Sequence, residues 1–158
     1  MQVAKTGSPG FVPVLYAEDD GNDIFFMAMA FGAAGVENPL IAVQDGQEAI
    51  DYLSGHGDYS DRRRCPFPCL LLTDIKMPRM DGFELLDWLK QRAAFRDLPK
   101  IVLSSSVQEP DLRRAGELGA CSYFMKPTEH TKLTAIVREW QRTVLTPHCC
   151  TAPGLGRQ

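Results

Sequence analysis

The sequence predicts an α/β fold: a parallel five-stranded sheet with helices on both faces. Three observations predict it. Five short apolar runs recur along the chain, each followed by a helical pattern or a helix-start signal, and strand–helix alternation is the mark of a parallel sheet. The central run, Leu70-Leu71-Leu72, is apolar at successive rather than alternate positions, as in a strand covered on both faces. The last helical segment carries Leu133, Ile136, Val137, Trp140 and Val144, the i, i+3, i+4, i+7 stripe of a helix packed on a sheet.

The elements follow in order. Residues 1–10 hold Gly, Ser and Pro and are expected as a disordered start. Val12 to Ala17 is a first strand, ending in Glu18-Asp19-Asp20. A helix follows over about 21–34, with Asp20 as its cap and Gly35 as its stop. Asn38-Pro39 turns the chain into a second strand, Leu40 to Val43. Asp45-Gly46-Gln47-Glu48 has the spacing of a capping box and opens a helix through Leu53. Ser54 to Pro68 is a long irregular loop, and loops of that length in a compact domain are usually functional.

The third strand ends at Asp74, because Pro78 cannot continue through a central sheet. Asp81 and Glu84 form another capping-box pattern, with Phe83, Leu86 and Leu89 on one face of the helix that follows. Lys100 to Leu103 is the fourth strand, ending in Ser104-Ser105-Ser106. Pro110 suits a first helical turn and Gly119 a helix end. Ala120 to Met125 is the fifth strand, ending in Lys126-Pro127, and the last helix follows. Residues 11–146 therefore form one domain, and 147–158 are expected as a disordered tail.

Composition excludes several classes. A net charge of -3 argues against general nucleic-acid binding. No run reaches the ~20 apolar residues that span a bilayer, and the first residues lack the apolar core of a secretory signal. The five cysteines, Cys65, Cys69, Cys121, Cys149 and Cys150, are odd in number and match no paired metal motif. Free thiols in a reduced, cytoplasmic setting are expected.

The strand ends hold the chemistry. The first supplies Glu18, Asp19 and Asp20, the third Asp74, the fourth Ser104 and the fifth Lys126, while the second supplies nothing comparable. In a flavodoxin-like (βα)5 sheet of order 2-1-3-4-5, the four contributing strands are neighbours. One cleft at their carboxyl ends then gathers every polar residue. Carboxylates held ~4 Å apart repel by several kcal/mol at an effective dielectric near 20, so Asp19 and Asp74 call for a cation. All-oxygen ligation with open positions suits Mg²⁺ completed by phosphate. Lys126 adds a point charge for a phosphoryl oxygen and Ser104 a hydroxyl donor. Asp74 is then a carboxylate nucleophile that forms an aspartyl phosphate.

These residues, together with Asp74-Ile75-Lys76-Met77-Pro78-Arg79-Met80-Asp81-Gly82 and Tyr123, resemble a CheY-like receiver domain of a two-component response regulator. The resemblance covers about residues 12–144. It implies a single-domain regulator with no output domain, which takes a phosphoryl group on Asp74 from a histidine kinase or a histidine phosphotransfer protein. It then signals to a downstream protein or shuttles phosphate onward in a relay. Asp19, Asp74 and the Lys76 backbone carbonyl would bind Mg²⁺, with Glu18 helping through water. Lys126 would hold the phosphoryl group, with a cis bond to Pro127. Ser104 would move onto it, and Tyr123 would turn inward behind it. Such a domain is a switch that assists its own phosphorylation and dephosphorylation rather than an enzyme. Ser104 stands where the family commonly has threonine, and the hydroxyl survives. Lys76 occupies a position that tunes hydrolysis of the acyl phosphate.

A finer resemblance lies in Asp51-Tyr52-Leu53, Gly57-Asp58-Tyr59 and Pro66-Phe67-Pro68, which look like stand-alone regulators paired with bacterial phytochromes. Arg62-Arg63-Arg64 in the same loop is expected as a solvated tip, with a partner-contact or dimer surface as the functional alternative. Ile24, Phe25, Phe26, Met27, Met29 and Phe31 nearly circle the first helix. That excess predicts an exposed apolar docking patch beside the site, with Phe26 or Met29 touching the kinase. Two rivals share pieces of the pattern. A haloacid-dehalogenase-type phosphatase needs a second aspartate where Lys76 stands. A flavin carrier needs a Gly- and hydroxyl-rich phosphate loop where this chain has three acids.

Overall fold

All five expected strands form, and each leads into its expected helix. The computed structural model describes residues 2–5 and 10–145. In chain order these are β1 (Gln2–Lys5), β2 (Val14–Ala17), α1 (Gly21–Ala34), β3 (Leu40–Val43), α2 (Gly46–Ser54), β4 (Leu70–Thr73), α3 (Gly82–Lys90), β5 (Lys100–Ser104), α4 (Glu109–Glu117), β6 (Ser122–Met125) and α5 (His130–Thr143). The sheet order is β1-β3-β2-β4-β5-β6. Its five parallel strands are therefore in the expected 2-1-3-4-5 order.

β1 is a correction. Residues 2–5 are not a loose start: they run antiparallel to β3, with Gln2 opposite Ala42 and Val3 opposite Ile41. An uncovered edge strand presents a row of unpaired N–H and C=O groups, and this segment fills it. The expected tail over 147–158, with His148, Cys149 and Cys150, lies outside the described residues.

Strand alternation sorts the core into two layers. Val14, Tyr16, Leu70, Leu72, Ile101 and Leu103 face α1 and α5, meeting Met27, Phe31, Val137 and Trp140. Leu15, Ala17 and Leu71 face the other way, toward Ala49, Ile50 and Leu53 of α2 and Leu85 and Leu89 of α3. The third strand's unbroken apolar run is thus explained, since both its faces are covered. Burial of one such side chain contributes roughly 1.5–3 kcal/mol.

The caps mark the helices. Asp20 accepts from the Asn22 and Asp23 amides. Asp81 and Glu84 make a complete capping box. At α2, Asp45 caps the Glu48 amide at 2.9 Å, but Glu48 reaches past it to accept from the Gln44 amide at 2.6 Å.

The long loop is more ordered than its composition suggests. It holds a single 3-10 turn at Gly57–Tyr59. Tyr59 donates to Glu48 at 2.5 Å and Tyr52 to the Pro66 carbonyl at 2.8 Å. The expectation of a solvated arginine tip holds for Arg63 and Arg64, which are exposed, and is corrected for Arg62. Its guanidinium donates to the Tyr52 and Leu53 carbonyls, each at 2.7 Å. The last carbonyls of a helix lack intrahelical donors and carry partial negative charge, so a cation is favoured there.

Candidate functional site

The register delivers the site. Ala17 at the end of β2 pairs with Val43 and with Thr73 at the end of β4, so Glu18 and Asp74 leave the sheet side by side. Backbone bonds fix both: the Glu18 amide donates to Val43 at 2.9 Å and the Asp74 amide to Ala17 at 3.0 Å. Likewise the Lys126 amide donates to Ser104 at 2.8 Å. The rigid sheet, not a loop, aims these side chains.

Asp74 is buried. Its Oδ1 accepts from the Ile75 amide at 2.7 Å and its Oδ2 from Lys126 Nζ at 2.9 Å. The chain then turns sharply, and the Gly82 amide closes the turn on the Ile75 carbonyl at 2.8 Å. Glycine is required at 82 by the close approach: a Cβ there would lie 2.1 Å from the Asp74 carbonyl oxygen.

Lys126 is shared among three acids. Its Nζ donates to Glu18 Oε2 at 2.6 Å, Asp23 Oδ2 at 2.7 Å and Asp74 Oδ2 at 2.9 Å. An ammonium has three N–H bonds, and all are used. Burial on its own would lower the Lys126 pKa; its hydrogen bonds to Asp23, Glu18 and Asp74 outweigh burial and raise it. Glu18, 1% exposed, is pushed up to about 7 by burial, against the pull of Lys126. Tyr16 beneath it donates to Glu18 Oε2 at 3.2 Å, and burial and then the Glu18 charge raise that phenol's pKa.

Carboxylate oxygens of Glu18, Asp19 and Asp74 all lie within 4.8 Å of one another. Asp19 is exposed while the other two are buried, so the cluster opens to solvent on one side. An all-oxygen set with more negative charge than one ammonium can balance fits a hard divalent cation such as Mg²⁺.

Ser104 is buried at the end of β5, the neighbour of β4, and its Oγ accepts from the Ser106 amide at 3.3 Å. Tyr123 on β6 donates to the Ser106 carbonyl at 2.9 Å. Both expected switch residues therefore hold the loop that follows β5. Lys76 is exposed, two residues past Asp74. The peptide bonds of the described residues are trans, so the expected cis bond at Lys126–Pro127 is corrected; the trans form of such bonds is preferred by about 0.5–1 kcal/mol.

One site residue was missed. Asp23 gave only the signal of an acid in a first helical turn, and such acids are ordinary there because of the helix dipole. The apolar excess on α1 is exposed as expected, with Phe25 at 60%, Phe26 at 48% and Met29 at 43%. Phe26 also lines a small pocket with Asp23, Lys126 and Pro127, so the patch adjoins the site. Cys65 and Cys121 are free thiols. No helix of the described residues is long and apolar enough to cross a membrane.

Comparison with known proteins agrees with this geometry. Residues 14–138 match the response regulator receiver domain family. The chain is 29% identical over 138 residues to response regulator Rcp1 of Synechocystis, covering 85% of this chain and 92% of that protein. The Mn²⁺-bound form of Rcp1 superposes with a TM-score of 0.75, covering 86% of this chain and 96% of that one, at 27% identity. The phosphorylated cyanobacterial phytochrome response regulator RcpA gives a TM-score of 0.77 at 29% identity, with coverage of 85% and 94%. Response regulator RPA3017, from red light signalling in R. palustris, gives 0.78 at 31% identity, with coverage of 82% and 92%.

Proposed function

The chain belongs to the response regulator receiver domain family of two-component signalling, and from that premise we propose that Asp74 accepts a phosphoryl group from a phytochrome-type histidine kinase. One observation carries the reading. The buried Asp74 carboxylate meets the Lys126 ammonium at 2.9 Å while its oxygens cluster within 4.8 Å of those of Glu18 and Asp19. Phosphoryl transfer asks mainly for positioning and charge neutralisation, and this arrangement offers both. Membership of the family sets aside the phosphatase reading.

In the proposed reaction an Asp74 carboxylate oxygen attacks phosphorus, the P–N bond of a phosphohistidine breaks, and the imidazole leaves with the bond's electron pair. Lys126 steadies the phosphoryl oxygens. Asp19, Asp74 and the Lys76 backbone carbonyl would hold Mg²⁺, with Glu18 helping through water, and the ion would neutralise charge on the transferring group. Ser104 then moves onto the phosphoryl oxygens and Tyr123 follows, carrying the loop through Ser106. The likeness to phytochrome regulators supports the class of donor, a cytoplasmic kinase domain or a histidine phosphotransfer protein. Phe26 and Met29 form the docking surface for its histidine-bearing helix.

Incubation with Mg²⁺ and acetyl phosphate tests the core of this. Intact mass rises by one phosphoryl group, and Asp74→Asn abolishes the gain; a gain that persists in Asp74→Asn refutes the assignment. The docking surface is tested separately. Phe26→Ser combined with Met29→Ser lowers transfer from the kinase about tenfold or more, as losing two apolar anchors should, with acetyl phosphate labelling unchanged. Unaltered kinase transfer sinks that part.

A further inference from the structure

The loop between Asp74 and α3 carries the Lys76 carbonyl, and it is tied to a part of the fold that has no role so far. Arg79 in this loop has φ 61 and is the one non-glycine residue with positive φ among the described residues. That left-handed conformation is disfavoured for a residue with a Cβ, so something must hold it. The holder is Asp45, the N-cap of α2, whose side chain is 2% exposed. Asp45 Oδ1 is committed to the Glu48 amide at 2.9 Å. Its Oδ2 takes Arg79 Nε at 2.6 Å and Nη2 at 2.5 Å. Breaking a pair whose acid is buried leaves an uncompensated charge, which makes this pair unlike an ordinary surface one.

Backbone contacts continue the strap. The Gly46 amide donates to the Met80 carbonyl at 3.0 Å. A Cβ on Gly46 would lie 2.7 Å from Met80 Cγ and 2.9 Å from that carbonyl oxygen, so the loop rests directly on the first turn of α2. At its far end the Gly82 amide is bonded to Ile75. The segment that leaves the nucleophile is thus clamped at both ends.

We propose that Arg79 and Asp45 are positioning residues, which hold the loop after β4 so that the Lys76 carbonyl stands ready for the metal. The inference rests on the metal reading proposed above. Neither residue need touch the metal or the phosphoryl group. Residues that orient metal ligands from behind typically change metal affinity by about 10–100-fold when lost.

Charge alone makes a different prediction from positioning. Removing the Arg79 cation would tighten Mg²⁺ binding by simple electrostatics, and removing the Asp45 anion would weaken it. Positioning makes both weaken it. The test is Mg²⁺ titration calorimetry on the full chain as wild type, Arg79→Ala, Asp45→Asn, the double variant and Arg79→Lys. Asparagine caps helices about as well as aspartate, so Asp45→Asn removes the pair and keeps the cap. The expected result is a Kd raised about tenfold in both single variants, raised no further in the double variant, and largely restored in Arg79→Lys. Amide hydrogen exchange over 75–82 in the metal-free protein is faster in the single variants. Acetyl phosphate labelling falls at limiting Mg²⁺ and recovers to within twofold of wild type at saturation. Tighter binding in Arg79→Ala, or a Kd within twofold of wild type, overturns the inference alone. A wild-type protein that binds no Mg²⁺ overturns the metal reading and this inference with it.

Discussion

Lys126 and Lys100 sit at opposite ends of the same sheet and are held in opposite ways. Lys126 follows β6 at the carboxyl end and donates to three carboxylates. Lys100 opens β5 at the amino end, is 4% exposed, and donates to two neutral carbonyls, Phe95 at 2.8 Å and Leu98 at 2.7 Å. Burial disfavours the charge on both. At Lys126 the hydrogen-bonded acids reverse that and the pKa rises. At Lys100 burial prevails over Cys121 and Asp97, and the pKa falls. The same residue type is therefore an electrostatic instrument at one end and a structural pin at the other. Partners, not burial, decide which.

The sharpest way to break this comparison is to remove each lysine and measure labelling by acetyl phosphate. Lys126→Ala lowers the rate about a hundredfold or more, the usual effect of deleting a group that meets developing charge. Lys100→Met leaves it within twofold of wild type. Similar losses in the two would refute the division of labour.

The next effect is on stability. Lys100→Met strips two buried carbonyls of their donor and costs about 2 kcal/mol in urea denaturation. The pH dependence then separates the lysines. Lys100 has a folded pKa below its unfolded value, so the fold prefers it neutral and wild type gains stability over Lys100→Met as pH rises through that lowered pKa. Lys126 has a raised folded pKa, so its contribution is complete below the ordinary lysine value of ~10.4 and is lost only above it. Just below the ordinary lysine value of ~10.4 the first difference slopes upward and the second stays flat. A flat Lys100 profile contradicts the assignment.

A smaller effect concerns the acids around Lys126. Glu18 has a folded pKa raised from 4.5 to about 7. Its contribution to stability is complete below the ordinary carboxyl value and is lost as pH rises through 7, where folding must bury the charge. Glu18→Gln without metal is therefore more stable than wild type by roughly 1–2 kcal/mol at pH 8 and shows no advantage at pH 4.5. Thermal melts in a chelator at the two pH values read this directly; an equal difference at both would show that Glu18 does not titrate in that window.

Much of this was legible before the fold was known. Glu18, Asp19, Asp74, Ser104 and Lys126 were found because each follows an apolar run, and one strand order makes those runs neighbours. The helix limits at Gly21, Ala34 and Gly82 follow from Asp20, Gly35 and Asp81, whose effect is confined to one turn of chain. The exposed face of α1 was legible because a helix apolar on every side cannot bury all of itself. Asp23, Arg62, Lys100 and the Arg79–Asp45 pair were not legible as parts of anything. An acid in a first turn, an arginine run in a loop, a lysine at a strand start and a basic residue after Met77-Pro78 all have ordinary surface readings.

The sequence by itself determined the five parallel strands, the helices that follow them and the acids and lysine at the strand ends, since periodicity and capping act over a few residues, but not the edge strand β1. Only the tertiary structure decided which charges meet. Lys126 finds Asp23 across 103 positions and Arg79 finds Asp45 across 34. The reason is physical: long side chains choose partners by where packing puts them, and that choice leaves no local trace. The role proposed for Asp74 was readable from its own neighbourhood, whereas the Arg79–Asp45 contact behind it depends on how α2 packs beside that loop.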